Sequence, residues 1–261
     1  MKNREITKQS LKQVKELIED VQNISKEEFE EMLNGMVRFH QYSLFNQFIL
    51  MIHGCSQVAG YRKWKELGRT VKKEEKAVWI LAPYFKKEIK ENEEEERVIR
   101  GFFSVPVFNI SQTEGEGVSG GMTQKANIAF DQVKDFAERE GFRVKFEPLE
   151  VIRGGYIQER SITLNNNLTE KDWTGTLIHE LAHGLLGQNH KDTPQRVKEQ
   201  QAEVITYLAC RVLGIERKSE FYLKSWGLSQ DIIGDFQAID KVTKQITEGL
   251  APSQKQQAPH T

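Results

Sequence analysis

From Leu177 to Leu186 the chain reads LIHELAHGLL, an apolar helical segment that also carries His179, Glu180 and His183. This pairing constrains the fold more than any other feature. Leu177, Ile178, Leu181, Ala182 and Leu185 assign the helix to a core. Two imidazoles and a carboxylate are costly to bury unless something pairs them. Histidines four apart project from one helix face, so both nitrogens can meet one metal ion at about 2.0–2.1 Å. Glu180, between them, can reach a water rather than the metal. Two core histidines hydrogen-bonded to their neighbours are the plainer alternative; the interposed glutamate favours the metal.

A tetrahedral site needs a third protein ligand. The next helix is expected to open with Thr193 as N-cap and Pro194 at its first position, and to run to about Leu213. It contains Glu199-Gln200-Gln201-Ala202-Glu203. Glu199 and Glu203 share a face, and Ala202, Ile205, Leu208 and Ala209 mark that side as buried. One glutamate can bind the metal while the other accepts a hydrogen bond from a ligand histidine. The spacing leaves both assignments open. Tyr207, four residues after Glu203, reads as a packed aromatic sooner than an oxyanion donor. His53 and His190 read as ordinary polar residues.

The rest of the chain predicts an α+β protein of two domains. The N-terminal half starts with helical spacing over Lys8–Val21 and Lys26–Met36, then an apolar helix over Tyr42–His53 in which Tyr42 and Asn46 read as capping or filling residues. Strands are expected at 77–82, closed by Pro83, and at 98–110, where Pro106 marks an edge or bulge. The acidic run 91–96 reads as a solvated turn between strands. The Gly-rich stretch 114–121, EGEGVSGG, suits a linker. Residues 1–113 and 122–250 are then the two domains, and 251–261 a disordered tail. The second domain opens with a helix near Thr123–Glu140 stopped by Gly141, a strand over 142–147, and a second strand from about Tyr156 to Leu164. The HELAH helix begins at Thr169. Further helical pattern follows from Glu220 to about Thr247.

Composition excludes several classes. Of 261 residues, 38% are hydrophobic and 29% charged, and the formal net charge of −1 gives no whole-chain case for nucleic acid. No run approaches the ~20 apolar residues of a spanning helix, so no membrane partner is expected. The charged N-terminus lacks the apolar core of a secretory signal, and two distant cysteines, Cys55 and Cys210, suit a reducing cytoplasm. Basic charge is local: Tyr61 to Lys76 holds seven Lys or Arg against three Glu. Tyr61, Arg62, Lys63, Trp64, Lys65, Arg69, Lys72 and Lys73 interleave aromatics with cations, as binding of single-stranded DNA requires. A solvated face with Trp64 and Trp79 packed in the core is the bland alternative.

HELAH followed by Glu-x-x-Ala-Glu resembles zincin metallopeptidases of the ImmA/IrrE type. In them the first acid is typically the metal ligand and the second its support, which favours Glu199 over Glu203; thermolysin-like spacing would favour Glu203. The strings 42–46, 60–69 and 105–113 look like the single-stranded-DNA-binding domain of ArdC-type antirestriction proteins, which join it to a zincin domain in the same order. The segment Tyr222–Trp226, ahead of Asp231, also fits their C-terminal helices. Two departures stand out, the acidic run 91–96 and the VKKEEKA segment, where relatives often carry a glycine after the basic pair.

The resemblance implies an antirestriction protein of a mobile element that binds single-stranded DNA. It would carry a Zn2+-dependent hydrolase for a protein or peptide substrate, with Glu180 as general base. Two alternatives remain: an ImmA-like protease that cuts a repressor with the N-terminal half as docking domain, and a non-catalytic DNA-binding shield whose zinc is structural.

Overall fold

A computed structural model describes residues 12, 26–89, 95–117, 128–150, 153–187, 193–216 and 236–251. Apart from Lys12, the expected first helix lies outside them, as do residues 91–94, 118–121, His190, the Tyr222–Trp226 segment, Asp231 and the tail beyond 251. The chain divides into two compact units, Met1–Gly121 and Met122–Thr261.

In the first unit, helix α1 (Lys26–Arg38) buries Phe29, Leu33 and Met36, spaced three and four apart. Glu27 and Glu28 in its first turn and Arg38 in its last suit the helix dipole. Helix α2 (Leu44–Ile52) is capped by the Ser43 hydroxyl, which accepts from the Asn46 backbone N–H. A Cβ on Gly35 would strike the Met51 sulfur, so the Met51 side chain lies directly on this glycine.

The unit's strands are β1 (Val58–Ala59), β2 (Arg69–Val71), β3 (Val78–Ile89), β4 (Glu95–Asn109) and β5 (Thr113–Gly115), with the short helix α3 (Tyr61–Glu66) after β1. β3 and β4 form a long antiparallel ribbon, β1 joins β4 at Phe108 and Asn109, and β2 pairs with β5. Asn46 does more than cap or fill. It is buried, its Nδ2 donates to the Leu81 carbonyl at 2.8 Å, and its Oδ1 accepts the Leu81 N–H at 2.9 Å. A side-chain amide thus occupies the edge of β3 where a further strand would pair.

Pro83 does not close the strand as expected. β3 continues six residues past it to Ile89, with Pro83 opposite Phe102. Proline is tolerated because β3 is an edge strand, where one row of N–H groups has no ladder partner. Pro106 likewise lies beyond the two residues of β4 that β1 covers. The pairing shifts between Tyr84 and Phe85, leaving Arg100 as the extra residue of a bulge.

The second unit starts with α4 (Phe130–Arg139), ended by Gly141 at φ 84°. Next come β6 (Arg143–Glu147), β7 (Gly155–Gln158) and β8 (Ser161–Asn165). The single strand expected over 156–164 is a hairpin, turned at Glu159 and Arg160 with Glu159 at φ 54°. No Gly or Asn marks that turn, so its signal was missing. β8 is central, parallel to β6 and antiparallel to β7, and Ile162 through Asn165 are all buried. Helices α5 (Glu170–Leu186), α6 (Gln195–Leu213) and α7 (Phe236–Leu250) complete the unit. α5 packs on β7, β8 and α6, and α7 packs on α6. Pro194 sits at the N-cap of α6, so that helix starts one residue later than expected. No described helix is long and apolar enough to cross a membrane.

Candidate metal centre

Helix α5 is held for its whole length. Thr169 caps it: its hydroxyl oxygen meets the Asp172 N–H at 3.4 Å and lies 2.7 Å from the Asp172 carboxylate. Gly187, at φ 52°, ends it. Leu177, Ile178, Leu181 and Ala182 are fully buried. Gly184 is required one turn after Glu180, because a Cβ there would stand 2.5 Å from the Phe142 ring and 2.8 Å from Ile157. The face bearing His179 and His183 meets α6.

α6 brings Glu199 to that face. Glu199 Oε2 lies 3.3 Å from His179 Nε2 and 3.4 Å from His183 Nε2. The two imidazole rings stand nearly perpendicular, 4.9 Å apart between centroids. One donor atom from each of His179, His183 and Glu199 falls within a 4.8 Å group, an arrangement that could hold a metal ion. Donors 2.0–2.2 Å from a tetrahedral metal are separated by about 3.4 Å. The two measured separations match that edge, and two imidazoles with one carboxylate are a common zinc donor set. A plain hydrogen bond could explain either contact alone. It does not require one oxygen to face two imidazole nitrogens.

Glu203 is not in that group. Its Oε2 lies 3.2 Å from Nδ1 of His179, the ring nitrogen on the other side from Glu199. Nε2 of the same ring faces Glu199. The structure thus separates the two glutamates that spacing left equivalent. Gln195 is a residue the sequence did not single out: its Nε2 donates to Glu199 Oε1 at 2.7 Å, holding the oxygen that faces away from the histidines. Its position four before Glu199 was the available signal.

Charge follows this geometry. Hydrogen bonds from His179 and His183 hold the Glu199 carboxyl far below the usual carboxylate range. Glu180 is buried, and burial pushes its carboxyl up. His179, His183 and Arg153 pull it back down, while Glu199 adds to the upward push. Tyr207 is buried in α6 under the Arg211 guanidinium, 6.0 Å from the ring centroid, as a packed aromatic.

The residues singled out for DNA divide differently. Trp64 is only 2% exposed, and its indole N–H donates to the Phe108 carbonyl at 2.9 Å. It is a core residue and cannot stack on a base. Arg69 is spent on the fold, with donors to the Thr113 hydroxyl (2.7 Å) and to the carbonyls of Thr113, Gly115 and Glu116. Lys72 reaches the Ser111 carbonyl and Lys63 pairs with Glu66. Arg62 and Lys73 are exposed, and Tyr61 is exposed with the Lys65 ammonium 5.3 Å from its ring centroid. Tyr84, just beyond that basic segment in the sequence, is 49% exposed, and the sequence did not single out Phe85, Phe102 and Phe103, which are 52%, 60% and 52% exposed. Consecutive phenylalanines in a strand put one ring on each face, and among the described residues neither ring is buried.

Residues 2–130 match the family model for the N-terminal domain of anti-restriction factor ArdC, and residues 137–217 match that of the IrrE N-terminal-like domain. An uncharacterized protein of Bacillus anthracis is 23% identical over a 258-residue alignment that takes in 77% of this chain and 43% of that protein. The chain thus spans less than half the length of that relative. Two crystal structures of the antirestriction ArdC protein from the R388 plasmid are also similar. The metal-free form has a TM-score of 0.47 at 18% identity, covering 80% of this chain and 85% of that one. The Mn(II)-bound form has 0.45 at 19%, covering 82% and 90%.

Proposed function

We propose, from the premise that this chain is an ArdC-type protein with an ArdC N-terminal domain followed by an IrrE-like domain, that it is an antirestriction protein of a mobile element with two activities. The first unit binds single-stranded DNA, and the second is a zinc peptidase. The observation that carries the peptidase is the placement of Glu199 Oε2 at 3.3 and 3.4 Å from the Nε2 atoms of His179 and His183. His179, His183 and Glu199 would hold the ion, Glu203 would orient His179, and Gln195 would orient Glu199. A zinc ion bound there supplies Lewis acidity, polarising a carbonyl and acidifying water. Glu180 takes the proton from the attacking water and returns it to the leaving amine. Its burial and its histidine neighbours oppose one another, which suits a group that must do both.

For DNA, the exposed rings of the ribbon take the stacking role that Trp64 cannot. Tyr61, Arg62, Lys65 and Lys73 supply an aromatic and cations to the phosphates.

Glu180→Gln tests the peptidase. It should leave zinc content unchanged and lower turnover of a cleavable peptide by about 10²–10⁴-fold. A variant that cleaves as fast as the parent sinks the assigned role of Glu180.

A further inference from the structure

The approach to the centre holds one side chain with no part in this mechanism. Asn165, buried in central strand β8, holds Leu149, Glu150 and Arg153 between β6 and β7. Its Nδ2 donates to the carbonyls of Leu149, Glu150 and Arg153, and its Oδ1 accepts from the N–H groups of Leu149 and Asn167. Arg153 ends this clamped loop. The next two residues are glycines, which lets the backbone lie directly on α5. A Cβ on Gly154 would stand 3.2 Å from the Thr176 hydroxyl, and one on Gly155 would stand 3.0 Å from the Thr176 methyl. Thr176 is one turn before Glu180, so Arg153 is delivered beside the catalytic face of the helix.

Its side chain is also held. The guanidinium carbon lies 4.7 Å from the centroid of the Tyr156 ring, a cation–π contact on edge strand β7. Arg153 is exposed, and among the described residues no carboxylate lies within ion-pair distance of it. A solubilising surface arginine needs neither a backbone clamp nor a ring beneath it. What is held here is a permanent cation with its planar fork of donors open, next to the centre and at the start of an unpaired strand edge.

We propose that Arg153 is the specificity residue of this site, pairing with a carboxylate of the peptide substrate, so that the site selects acidic peptides. The guanidinium fork matches a carboxylate in bidentate geometry, which an ammonium cannot do. This role rests on the zinc-peptidase reading above.

The test uses the zinc-loaded full chain and three hydroxamate probes whose metal-binding group is the same. One is a dipeptide hydroxamate with a glutamate side chain, the second its glutamine isostere, and the third acetohydroxamate, which has no side chain. The parent should prefer the glutamate probe over the glutamine probe by about five- to tenfold. Arg153→Gln should abolish the preference, Arg153→Lys should keep a reduced one, and acetohydroxamate should bind all three proteins equally. Equal affinity of the parent for the glutamate and glutamine probes overturns the inference, as does a preference that survives Arg153→Gln. Failure of every probe, acetohydroxamate included, to bind zinc-loaded parent overturns the metal-site reading itself and takes the role of Arg153 with it. Acetohydroxamate binding with no acidic preference leaves the site standing and removes Arg153 alone.

Discussion

Glu199 and Glu203 lie one turn apart, and isosteric replacement of each separates their roles. Glu199 Oε2 faces two imidazole Nε2 atoms, whereas Glu203 Oε2 lies beside the far nitrogen of His179. Glu199→Gln then removes an anionic ligand. If about 10–16 kcal/mol of zinc binding is shared among four positions, one ligand is worth about 3–4 kcal/mol, or roughly 10²–10³-fold in affinity. Glu203→Gln keeps an acceptor near His179 Nδ1 and removes only its charge. Loss of such an outer partner costs about 10–100-fold. The assay is zinc competition against a chromophoric chelator near neutral pH, with metal-free thermal melts to confirm that both variants fold. The reasoning predicts a larger loss for Glu199→Gln. The reverse order would make Glu203 the ligand and refute the assignment drawn from the two helices' contacts; equal losses would refute the division of roles.

Other perturbations probe the fold and the DNA surface. Asn165→Ala leaves three carbonyls and two N–H groups of the β6–β7 loop and its surroundings without the side chain that joins them. At about 1 kcal/mol for each of the two shortest contacts, plus desolvation, the loss is roughly 3 kcal/mol. Urea unfolding of the full chain should record it, and a change under about 1 kcal/mol would show that the loop is not held this way. Phe102→Ala should weaken binding of a fluorescent single-stranded oligonucleotide by about tenfold while leaving the melting temperature nearly unchanged. Trp64→Ala should instead lower stability by about 3–5 kcal/mol; the opposite pattern would return the stacking role to Trp64. Burial pushes the Cys55 thiol up to about 11. In a Cys210→Ser background it should therefore react with a disulfide reagent at pH 8 much more slowly than the same residue in urea, and equal rates would refute its burial.

The elements that were legible rest on local chemistry. Thr169 starts and Gly141 ends a helix where expected, because capping depends on a few adjacent backbone groups. The misplaced boundaries share one cause. A proline such as Pro83 ends a strand only where the ladder needs a backbone N–H that proline lacks, and sheet order decides that. The turn at Glu159 and Arg160 lacks the residues that usually mark one, yet antiparallel pairing of Gly155–Gln158 with Ser161–Leu164 forces it.

Sequence alone determined that His179 and His183 share a face of a buried helix with Glu180 between them, because helical spacing is fixed by backbone geometry. It also determined that two glutamates four residues apart would follow on the next helix. It could not choose between them, because residues one turn apart point the same way, and only the packing of α6 on α5 sets which one meets both Nε2 atoms. The same limit applied in the first unit. A tryptophan among lysines and arginines looks like a stacking surface until the Phe108 carbonyl closes over its indole N–H, and the rings of Phe102 and Phe103 are seen to be exposed only once the ribbon is built. Composition and spacing report what a side chain prefers; its neighbours in space decide whether that preference is met by the fold or left open to a ligand.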